Sequence, residues 1–241
     1  MKKETFVLLP GYDGDGIGTF SELNSLLSVK HNCLVINYPY YGQTDRVYTL
    51  DELVSYVHKI TNQRKLSRFH LVGFSMGGFV AAAYAIRYSS QLKSLTLISS
   101  AVTPLLSPLN QLSLVMAYHL FKIPLLARLF SLIYCSPYLS DMVKDSPLPP
   151  PRDNFPVAEG YPVFGTLANV LYESTHSQLS TQAKLAKLVK KAILFADDPS
   201  FPAAIYSPIL TDLGFRIVVH DHGGHATHPD YWNIVGKDLL R

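Results

Sequence analysis

Six short apolar runs recur along the 241-residue chain, each separated from the next by a longer segment. The runs span residues 6–9, 34–38, 69–74, 95–98, 192–195 and 217–219. Because they are apolar nearly throughout, and not only at alternate positions, they predict strands that are buried on both faces of a sheet. Strands that alternate with helix-length segments favour a parallel sheet covered by helices on both faces. We therefore predict an α/β fold with a mostly parallel sheet of about six strands.

Helix start signals lie in the segments between these runs. Thr49 is followed by two early acidic residues, which is the pattern of a helix N-cap. Residues 75–89 are rich in alanine and other apolar side chains, which predicts a buried helix. Pro202 and Pro229 each stand where a helix would take its first turn, a position that proline tolerates. These signals support helices between the strands.

Residues 101–184 interrupt this alternation. The segment has no clear strand pattern, and it contains an apolar helix-like stretch at 109–134 and a proline-rich stretch at 147–151. A separate helical domain or a linker would also give this pattern. Since strand-like runs of the same kind lie on both sides, we interpret the segment as a helical cap, or lid, inserted between two strands. The remaining residues, 1–100 and 185–241, form the predicted core.

Composition and charge exclude several classes of partner. The net charge is +3, and the sequence has no Lys or Arg run of the kind that binds nucleic acid, so we expect no nucleic-acid partner. Residues 94–121 are free of Asp, Glu, Lys and Arg, but prolines and polar side chains interrupt them. A membrane-spanning helix needs about 20 mostly apolar residues in a row. We therefore expect no membrane span.

The cysteines and the start of the chain bear on the cellular compartment. Cys33 and Cys135 lie in apolar stretches, and neither belongs to a CxxC pair or stands beside a histidine. This pattern favours two buried reduced thiols over a disulfide, a metal site or a redox site. The first apolar run has four residues, 6–9, whereas the core of a signal peptide needs about 7–15. We therefore expect a cytoplasmic protein.

The residues Gly73-Phe-Ser75-Met-Gly77 match the pattern G-x-S-x-G. They follow the third apolar run directly and open the alanine-rich segment, which is the strand-turn-helix setting that exposes a serine hydroxyl. Glycines leave room for such a strained turn, and the N-terminus of the following helix stabilises negative charge beside the serine. A chance match to this five-residue pattern need not lie between a strand and a helix. We therefore predict that Ser75 is a nucleophile.

A serine hydroxyl needs a base before it can act as a nucleophile at neutral pH. His225 follows the last apolar run and precedes the last helical segment, so its loop can reach the sheet edge where Ser75 is expected. Two glycines stand before it and free the backbone, and for this reason we choose it over its neighbours. The alternatives are His220, which follows the last strand-like run, and two further histidines of the same loop, His222 and His228.

The base in turn needs a carboxylate, which fixes its tautomer and stabilises its protonated form. Asp197 and Asp198 follow the fifth apolar run. They stand between the serine and the histidine in the chain, which is the order that accompanies this serine motif. We choose Asp198 as the acid and keep Asp197 as the alternative, because either carboxylate could instead cap the helix that begins near Pro202.

Acyl transfer also needs two hydrogen-bond donors for the oxyanion that develops on the substrate. For this oxyanion hole we choose the backbone N–H of Met76, which follows the nucleophile, and the backbone of Tyr12, in the glycine-rich loop after the first apolar run. That loop resembles a phosphate-binding loop, but it lacks the G-K-[ST] ending. We expect no cofactor and no metal.

Taken together, these residues resemble those of the α/β-hydrolase superfamily along nearly the whole chain. The matching stretches are residues 8–11, 38–44, 73–78, 198–202 and 224–225. The resemblance implies an acid at Asp198, a helical cap at about 101–184 and an active site between the cap and the sheet. It is strongest to small members that act as esterases, thioesterases or lactonases.

Two positions depart from the pattern of the superfamily. Pro10 stands where many members have histidine before the glycine of the oxyanion loop, as in some thioesterase-like members. Phe195 stands where a glycine usually precedes the acid by three places. The second departure leaves the choice between Asp197 and Asp198 open.

The predicted function is hydrolysis of an ester or thioester through an acyl intermediate on Ser75. The cap is rich in apolar side chains, which favours a small-molecule substrate with a fairly apolar acyl group, although ordinary packing would give the same composition. Because a fold alone does not fix function, three alternatives stand beside it. They are an acyltransferase of a biosynthetic pathway, a lyase or carbon–carbon hydrolase that uses the same three residues, and a ligand-binding protein without catalysis.

Overall fold

The computed structural model describes residues 3–42, 46–105, 108–120, 123, 125–126, 129, 160–176, 185 and 187–241. The strands in these ranges are β1 Thr5–Leu9, β2 Asn32–Val35, β3 Phe69–Phe74, β4 Leu92–Ile98, β5 Val189–Phe195 and β6 Arg216–His220. The α-helices are α1 Gly16–Thr19, α2 Ser21–Ser28, α3 Leu50–Gln63, α4 Met76–Tyr88, α5 Pro108–Leu120, α6 Gly160–His176, α7 Ala203–Asp212 and α8 Tyr231–Leu239. A single 3₁₀ turn, Ser89–Gln91, links α4 to β4.

The six strands form one sheet in the order β2-β1-β3-β4-β5-β6, and every neighbouring pair is parallel. This confirms the predicted α/β fold and the predicted number of strands. Parallel strands end at the same edge of a sheet, and ligand sites of open α/β sheets lie at that edge. The loops that follow β1, β3, β4, β5 and β6 therefore meet on one side of the molecule.

The sheet is buried on both faces, as its continuous apolar strands predict. Along β1, Val7 and Leu9 face one apolar cluster, whereas Phe6 and Leu8 face a second. The first cluster includes apolar side chains of α3, α4, α6 and α7, and the second those of α2 and α8. Alternate residues of a strand point to opposite faces, so one short run of apolar residues supplies both layers of the core.

Several strand and helix boundaries differ from those predicted from the sequence. The second strand ends at Val35, three residues earlier than expected, because the N–H of Tyr38 donates to the carbonyl of Gly14 at 2.9 Å instead of continuing the ladder. This bond ties the end of the second run to the loop after β1. Pro202 stands at the N-cap position of α7, and α8 begins two residues after Pro229.

Helices α5 and α6 lie in the part of 101–184 that the structure describes. They contact each other through Tyr118 and Tyr172, whose rings stack with centroids 4.0 Å apart. Residues 147–151 and most of 121–134, for which we predict a proline-rich stretch and the second half of an apolar helix, lie outside the described residues. None of the helices within the described ranges is long and apolar enough to cross a membrane.

Polar contacts join α6 to the chain just before α3. Thr166 Oγ1 accepts the N–H of Tyr48 at 3.0 Å, and Asn169 Nδ2 donates to the carbonyl of Tyr48 at 3.0 Å. One turn further along, Glu173 accepts the N–H of Leu50 at 2.9 Å. These three side chains recur on one face of α6, so this helix is fixed to the core in a defined register.

Candidate active site

Ser75 stands in the sharp turn between β3 and α4. Its backbone has φ 51° and ψ −124°, a conformation that non-glycine residues rarely adopt. Two hydrogen bonds hold the turn in this shape. The N–H of Ser75 donates to the carbonyl of Ile98 at 3.0 Å, and the hydroxyl of Ser100 donates to the carbonyl of Ser75 at 2.6 Å. The turn raises the serine side chain above the carboxyl edge of the sheet.

The two glycines of the motif are required by close backbone contacts. A Cβ atom at Gly73 would lie 2.4 Å from the carbonyl oxygen of Gly77. A Cβ atom at Gly77 would lie 2.4 Å from the carbonyl oxygens of both Leu9 and Pro10. These contacts press the start of α4 against the end of β1, so the serine turn and the loop after β1 become neighbours.

The loop after β6 brings the ring of His225 to Ser75. The Nε2 atom of His225 lies 2.8 Å from Oγ of Ser75, within hydrogen-bond distance. The ring is flanked by Phe74, at 5.1 Å between centroids, and by Phe201, at 5.7 Å. In this position an imidazole can accept the proton of the serine hydroxyl.

Asp198 lies on the other side of the same ring. Its carboxylate oxygens are 3.1 and 3.0 Å from Nδ1 of His225, and its Oδ1 accepts the N–H groups of Ser200 and Phe201 at 2.8 and 3.0 Å. The residue is 1% exposed. Burial acts to raise the pKa of Asp198. The hydrogen bond and charge of His225, with the donors Phe201 and Ser99, outweigh it and hold this pKa below its ordinary value. The carboxyl group is therefore an anion at neutral pH.

Asp197, the alternative acid, points away from His225. Its carboxylate accepts the N–H groups of Gly223 and Gly224, at 3.0 and 2.8 Å from Oδ1. These bonds, that to Gly224 above all, lower the pKa of Asp197. Asp197 thus binds the backbone of the loop that carries His225, whereas the adjacent Asp198 binds the ring of that histidine.

The three alternative histidines have other surroundings. Nε2 of His220 lies 2.6 Å from Oδ2 of Asp238 in α8. His222 is 81% exposed in its side chain and stands 3.8 Å from Asp197. Nδ1 of His228 accepts the N–H of Asp230 at 3.2 Å. The structure brings His225 to Ser75 and leaves these three elsewhere.

The loop after β1 lies beside the serine turn. A Cβ atom at Gly11 would be 3.7 Å from Cβ of Ser75, which is ordinary contact. The hydroxyl of Tyr40 donates to the carbonyl of Tyr12 at 2.8 Å and fixes the peptide that follows. Met76 is the first residue of α4, and the first N–H groups of a helix have no acceptor within it. Both proposed oxyanion donors therefore belong to segments that meet at Ser75.

A cavity of about 420 Å³ opens at this point, within the usual size of small-molecule sites, about 300–1,000 Å³. Its wall includes both polar and apolar side chains, among them those of Tyr12, Thr19, Ser75, His225, Thr227 and Trp232. Every described residue that lines it belongs to the core ranges, and the described part of 101–184 contributes none. In α6, the ring of Phe164 stacks over that of Tyr12, with centroids 6.5 Å apart.

Sequence reasoning missed a pair of serines beside the site. Ser99 and Ser100 follow β4 directly, and both are fully buried. Ser100 binds the carbonyl of Ser75, whereas Ser99 accepts the hydroxyl of Tyr231 at 2.7 Å and acts to lower the pKa of Asp198. Their position at the carboxyl end of a central strand was the available signal, since the loops of this edge carry the other site residues.

Comparisons with known proteins agree with this architecture. In solved structures, the chain is similar to an esterase from Exiguobacterium antarcticum, at 18% identity, a TM-score of 0.68, and coverage of 99% of this chain and 91% of that one. It is similar to an enol-lactonase from Burkholderia xenovorans, at 17% identity, a TM-score of 0.67, and coverage of 100% and 91%. It is also similar to a meta-cleavage product hydrolase from Pseudomonas fluorescens, at 17% identity, a TM-score of 0.66, and coverage of 99% of this chain and 90% of that one. At these identities the likeness shows the fold.

Within the described ranges, no group of three or more His, Cys, Asp or Glu side chains could hold a metal ion. A search of curated proteins found no match. The sequence model of the alpha/beta hydrolase fold matches residues 4–230. This match spans nearly the whole chain, and the sheet order and the serine turn are consistent with it. The chain therefore belongs to the α/β-hydrolase fold family.

Proposed function

We propose that this protein is a serine hydrolase that cleaves an ester or thioester through an acyl intermediate on Ser75. The observation that carries the proposal is the line of contacts from Ser75 Oγ through both ring nitrogens of His225 to the buried Asp198, with distances of 2.8 and 3.0–3.1 Å. A hydroxyl, a base and an orienting carboxylate in this geometry form the arrangement that activates serine nucleophiles.

In the first step, Ser75 Oγ bonds to the carbonyl carbon of the substrate while its proton passes to Nε2 of His225. The bond to the leaving alcohol or thiol then breaks, and His225 returns the proton to that group. In the second step, a water molecule bonds to the acyl carbon and His225 takes a proton from it, and His225 then returns this proton to Ser75 Oγ as the bond between that atom and the acyl carbon breaks. Asp198 stays ionised and stabilises the imidazolium formed in both steps.

The backbone N–H groups of Tyr12 and Met76 stabilise the oxyanion of each tetrahedral intermediate. Donors of this kind are worth about 10²–10³-fold in kcat. The contact of Gly77 with Leu9 and Pro10 supports this role, because it holds the two donor-bearing segments together before substrate arrives.

A fairly apolar acyl group fits the cavity beside Ser75. Trp232 and Phe74 supply apolar wall, and Thr19 and Thr227 supply polar groups that can orient a substrate. We propose that residues 101–184, with α5 and α6, form a helical cap over this site, and that 1–100 and 185–241 are the catalytic core. The stacking of Phe164 on Tyr12 supports a cap that lies close to the oxyanion donors. The free thiol of Cys33 fits the reducing cytoplasm as its compartment.

The test is covalent labelling followed by turnover. Wild-type protein is incubated with a fluorophosphonate, which bonds to an activated serine with loss of fluoride, and the labelled peptide is identified by mass spectrometry. Panels of p-nitrophenyl esters and acyl thioesters are then assayed with wild type and Ser75→Ala. We expect label on Ser75 alone and a loss of about 10³-fold or more in kcat for the variant.

Other outcomes would assign the protein to a different class. Failure of the wild type to react with the probe, in a sample of native fold, would indicate a binding protein. Labelling without hydrolysis, but with acyl transfer to an added alcohol or amine, would indicate an acyltransferase. Normal turnover by a well-folded Ser75→Ala protein would remove Ser75 as nucleophile.

A further inference from the structure

Tyr231 and Ser99 form a buried chain of hydroxyl groups that ends at Asp198. The hydroxyl of Tyr231 donates to Ser99 Oγ at 2.7 Å, and Ser99 lies close enough to Asp198 for a side-chain hydrogen bond that acts to lower the pKa of the carboxyl group. A serine hydroxyl has one donor and two acceptor sites, so it can accept from the tyrosine and donate to the carboxylate at once. All three side chains are at most 1% exposed.

The backbone of Ser99 is strained in the position that allows these bonds. Its φ is 43°, in the left-handed region that favours glycine, although the residue carries a side chain and is fully buried. Such strain persists only where surrounding contacts fix it, and it concentrates at functional sites. Here the N–H of Ser99 donates to the carbonyl of Ile193 at 2.9 Å, which anchors the strained residue to β5.

Tyr231 is equally fixed, and it belongs to the segment that carries the histidine. It is the first residue of α8, six residues after His225, and its N–H donates to the carbonyl of His228 at 3.1 Å. Its ring stacks on Phe195, with centroids 4.4 Å apart, and meets Phe74 edge-on. Burial, together with the charge of Asp198, raises the pKa of Tyr231 well above its ordinary value, so its hydroxyl remains a donor.

We propose that Ser99 and Tyr231 are positioning residues that hold the Asp198 carboxylate in the orientation that faces His225. The proposal rests on the hydrolase function proposed above. The backbone donors Ser200 and Phe201 both bind Oδ1 of Asp198, so the backbone contacts that hold the carboxylate independently of His225 are concentrated on one oxygen. The hydroxyl chain supplies a further contact, anchored at the end of β4 and on α8. It also links the residue after β4 to α8, the helix that follows the histidine loop.

The chain should affect the basicity of the pair formed by Asp198 and His225. Removing a donor from a carboxylate concentrates its negative charge, which stabilises the imidazolium beside it. Around Asp198 the described titratable groups are His225, Tyr206 and Tyr231, with the neighbouring Asp197 turned toward Gly223 and Gly224. The acidic limb of the pH–rate profile belongs to the coupled pair of Asp198 and His225. Loss of the hydroxyl chain should therefore move this limb to higher pH.

The test uses the second-order rate of fluorophosphonate labelling at Ser75 as a function of pH, because it needs no knowledge of the natural substrate. In this reaction a P–O bond forms, the P–F bond breaks and the serine proton passes to His225. We expect Tyr231→Phe and Ser99→Ala each to lower the rate about tenfold at neutral pH, about 1.4 kcal/mol, and to move the acidic limb upward. Because both act through one contact, the double variant should lose little more than the worse single variant.

Tyr84→Phe is the matched control. Tyr84 is also fully buried, and its hydroxyl donates to Gln91 at 2.6 Å, in a network remote from Asp198. This variant should lose stability while it keeps the wild-type rate and pH profile. A Tyr231→Phe protein that keeps both would overturn the proposal, as would one that loses rate with its acidic limb unmoved.

A second measurement separates this proposal from the proposed function. The proton between His225 and Asp198 gives a far-downfield NMR signal when the two are held together, whether or not the protein reacts with a probe. Tyr231→Phe and Ser99→Ala should shift or broaden this signal, and Tyr84→Phe should not. Absence of labelling in wild type would contradict the hydrolase function alone, whereas an unchanged signal in both variants would contradict the positioning role alone.

Discussion

Gly77 at the start of α4 lies directly against Pro10 at the end of β1. A methyl group added at Gly77 would stand 2.4 Å from the carbonyl oxygen of Pro10, a distance that real Cβ atoms essentially never show. The neighbour is backbone, so the strain cannot be relieved by rotating a side chain. Close approach of α4 to the end of β1 brings together the two segments that carry the proposed oxyanion donors, Met76 and Tyr12.

Gly77→Ala should therefore damage activity more than its small size suggests. Displacement of the donors by a few tenths of an ångström weakens oxyanion stabilisation, and we expect kcat to fall by about tenfold to a hundredfold. Melting temperatures and kcat are measured for this variant and for Gly11→Ala, whose added methyl would make only ordinary contacts of 3.6 Å or more. Gly11→Ala should melt near the wild-type temperature. Unchanged kcat in Gly77→Ala would contradict the oxyanion role of this contact.

Asp198→Asn should lose far more activity than Asp197→Asn. An amide at position 198 cannot stabilise the imidazolium, so we expect a loss of about 10³-fold or more in kcat. At position 197 the amide oxygen can still accept the N–H groups of Gly223 and Gly224, so activity should stay near that of wild type. The two variants change the same chemical group at adjacent positions, and each controls for the other. If Asp197→Asn is the worse enzyme, the acid has been assigned one residue too late.

The depressed pKa of Asp198 predicts a contribution to stability that depends on pH. A carboxyl group whose pKa is lower in the folded state stabilises the fold above its unfolded pKa, about 3.9, and this contribution is lost as pH falls through the folded value. The free energy of unfolding of wild type should therefore fall more steeply below about pH 4 than that of Asp198→Asn. Urea unfolding between pH 3 and pH 7 measures both slopes, and equal slopes would contradict the depressed pKa.

Glu173 should give the opposite pH dependence of stability in the same urea unfolding experiment. Burial raises the pKa of Glu173 and outweighs the N–H groups of Leu50 and Asp51, which lower it. A raised carboxyl pKa means that the folded state holds its proton longer, so the stability it contributes is lost as pH rises through the folded value. Glu173→Gln, whose amide oxygen can still accept the N–H of Leu50, should gain stability relative to wild type from about pH 4.3 upward. A constant difference across this range would contradict the raised pKa.

The sequence predicted the sheet well because burial on both faces leaves a direct trace in apolar runs. Val7, Leu8 and Leu9 are buried in the structure, and β1 accordingly reads as apolar at successive positions. The end of β2 was wrong because it depends on a bond between Tyr38 and Gly14, which are 24 positions apart and carry no local signal.

The candidate site likewise contains residues that a local sequence signal predicts and residues that only the fold brings together. Ser75 has a local signature, since its strained turn needs glycines that the sequence displays. Asp197 and Asp198 are adjacent and chemically identical, and their different directions depend on where β5 ends and on the loop of Gly223. Ser99 and Tyr231 are 132 positions apart, and only the folded sheet edge brings their hydroxyls together. The roles assigned to all these residues remain predictions for the variants described above.

The apolar part of the cavity wall predicts a dependence of rate on acyl-chain length. Each buried methylene contributes about 0.8 kcal/mol, about fourfold in kcat/KM, and incomplete burial should keep the observed rise below this value until the cavity is full. We expect kcat/KM to rise from acetate toward longer p-nitrophenyl esters, measured up to decanoate, and then to reach a plateau. A preference for acetate over every longer ester would refute the apolar acyl group and favour a small polar substrate.

The position of that plateau should respond to the core wall of the cavity and not to α5, a helix of the proposed cap. Trp232 lines the cavity, so Trp232→Leu enlarges it and should move the plateau to longer esters. Leu114 of α5 is half-buried and does not line the cavity, so Leu114→Ser should lower the melting temperature and leave the plateau in place. Both variants are assayed with the same ester series, after circular dichroism has verified their fold. The opposite result is that Leu114→Ser abolishes the rise of kcat/KM with ester length while Trp232→Leu leaves it unchanged. In that case the acyl group contacts the proposed cap, and the cavity beside Trp232 receives another part of the substrate.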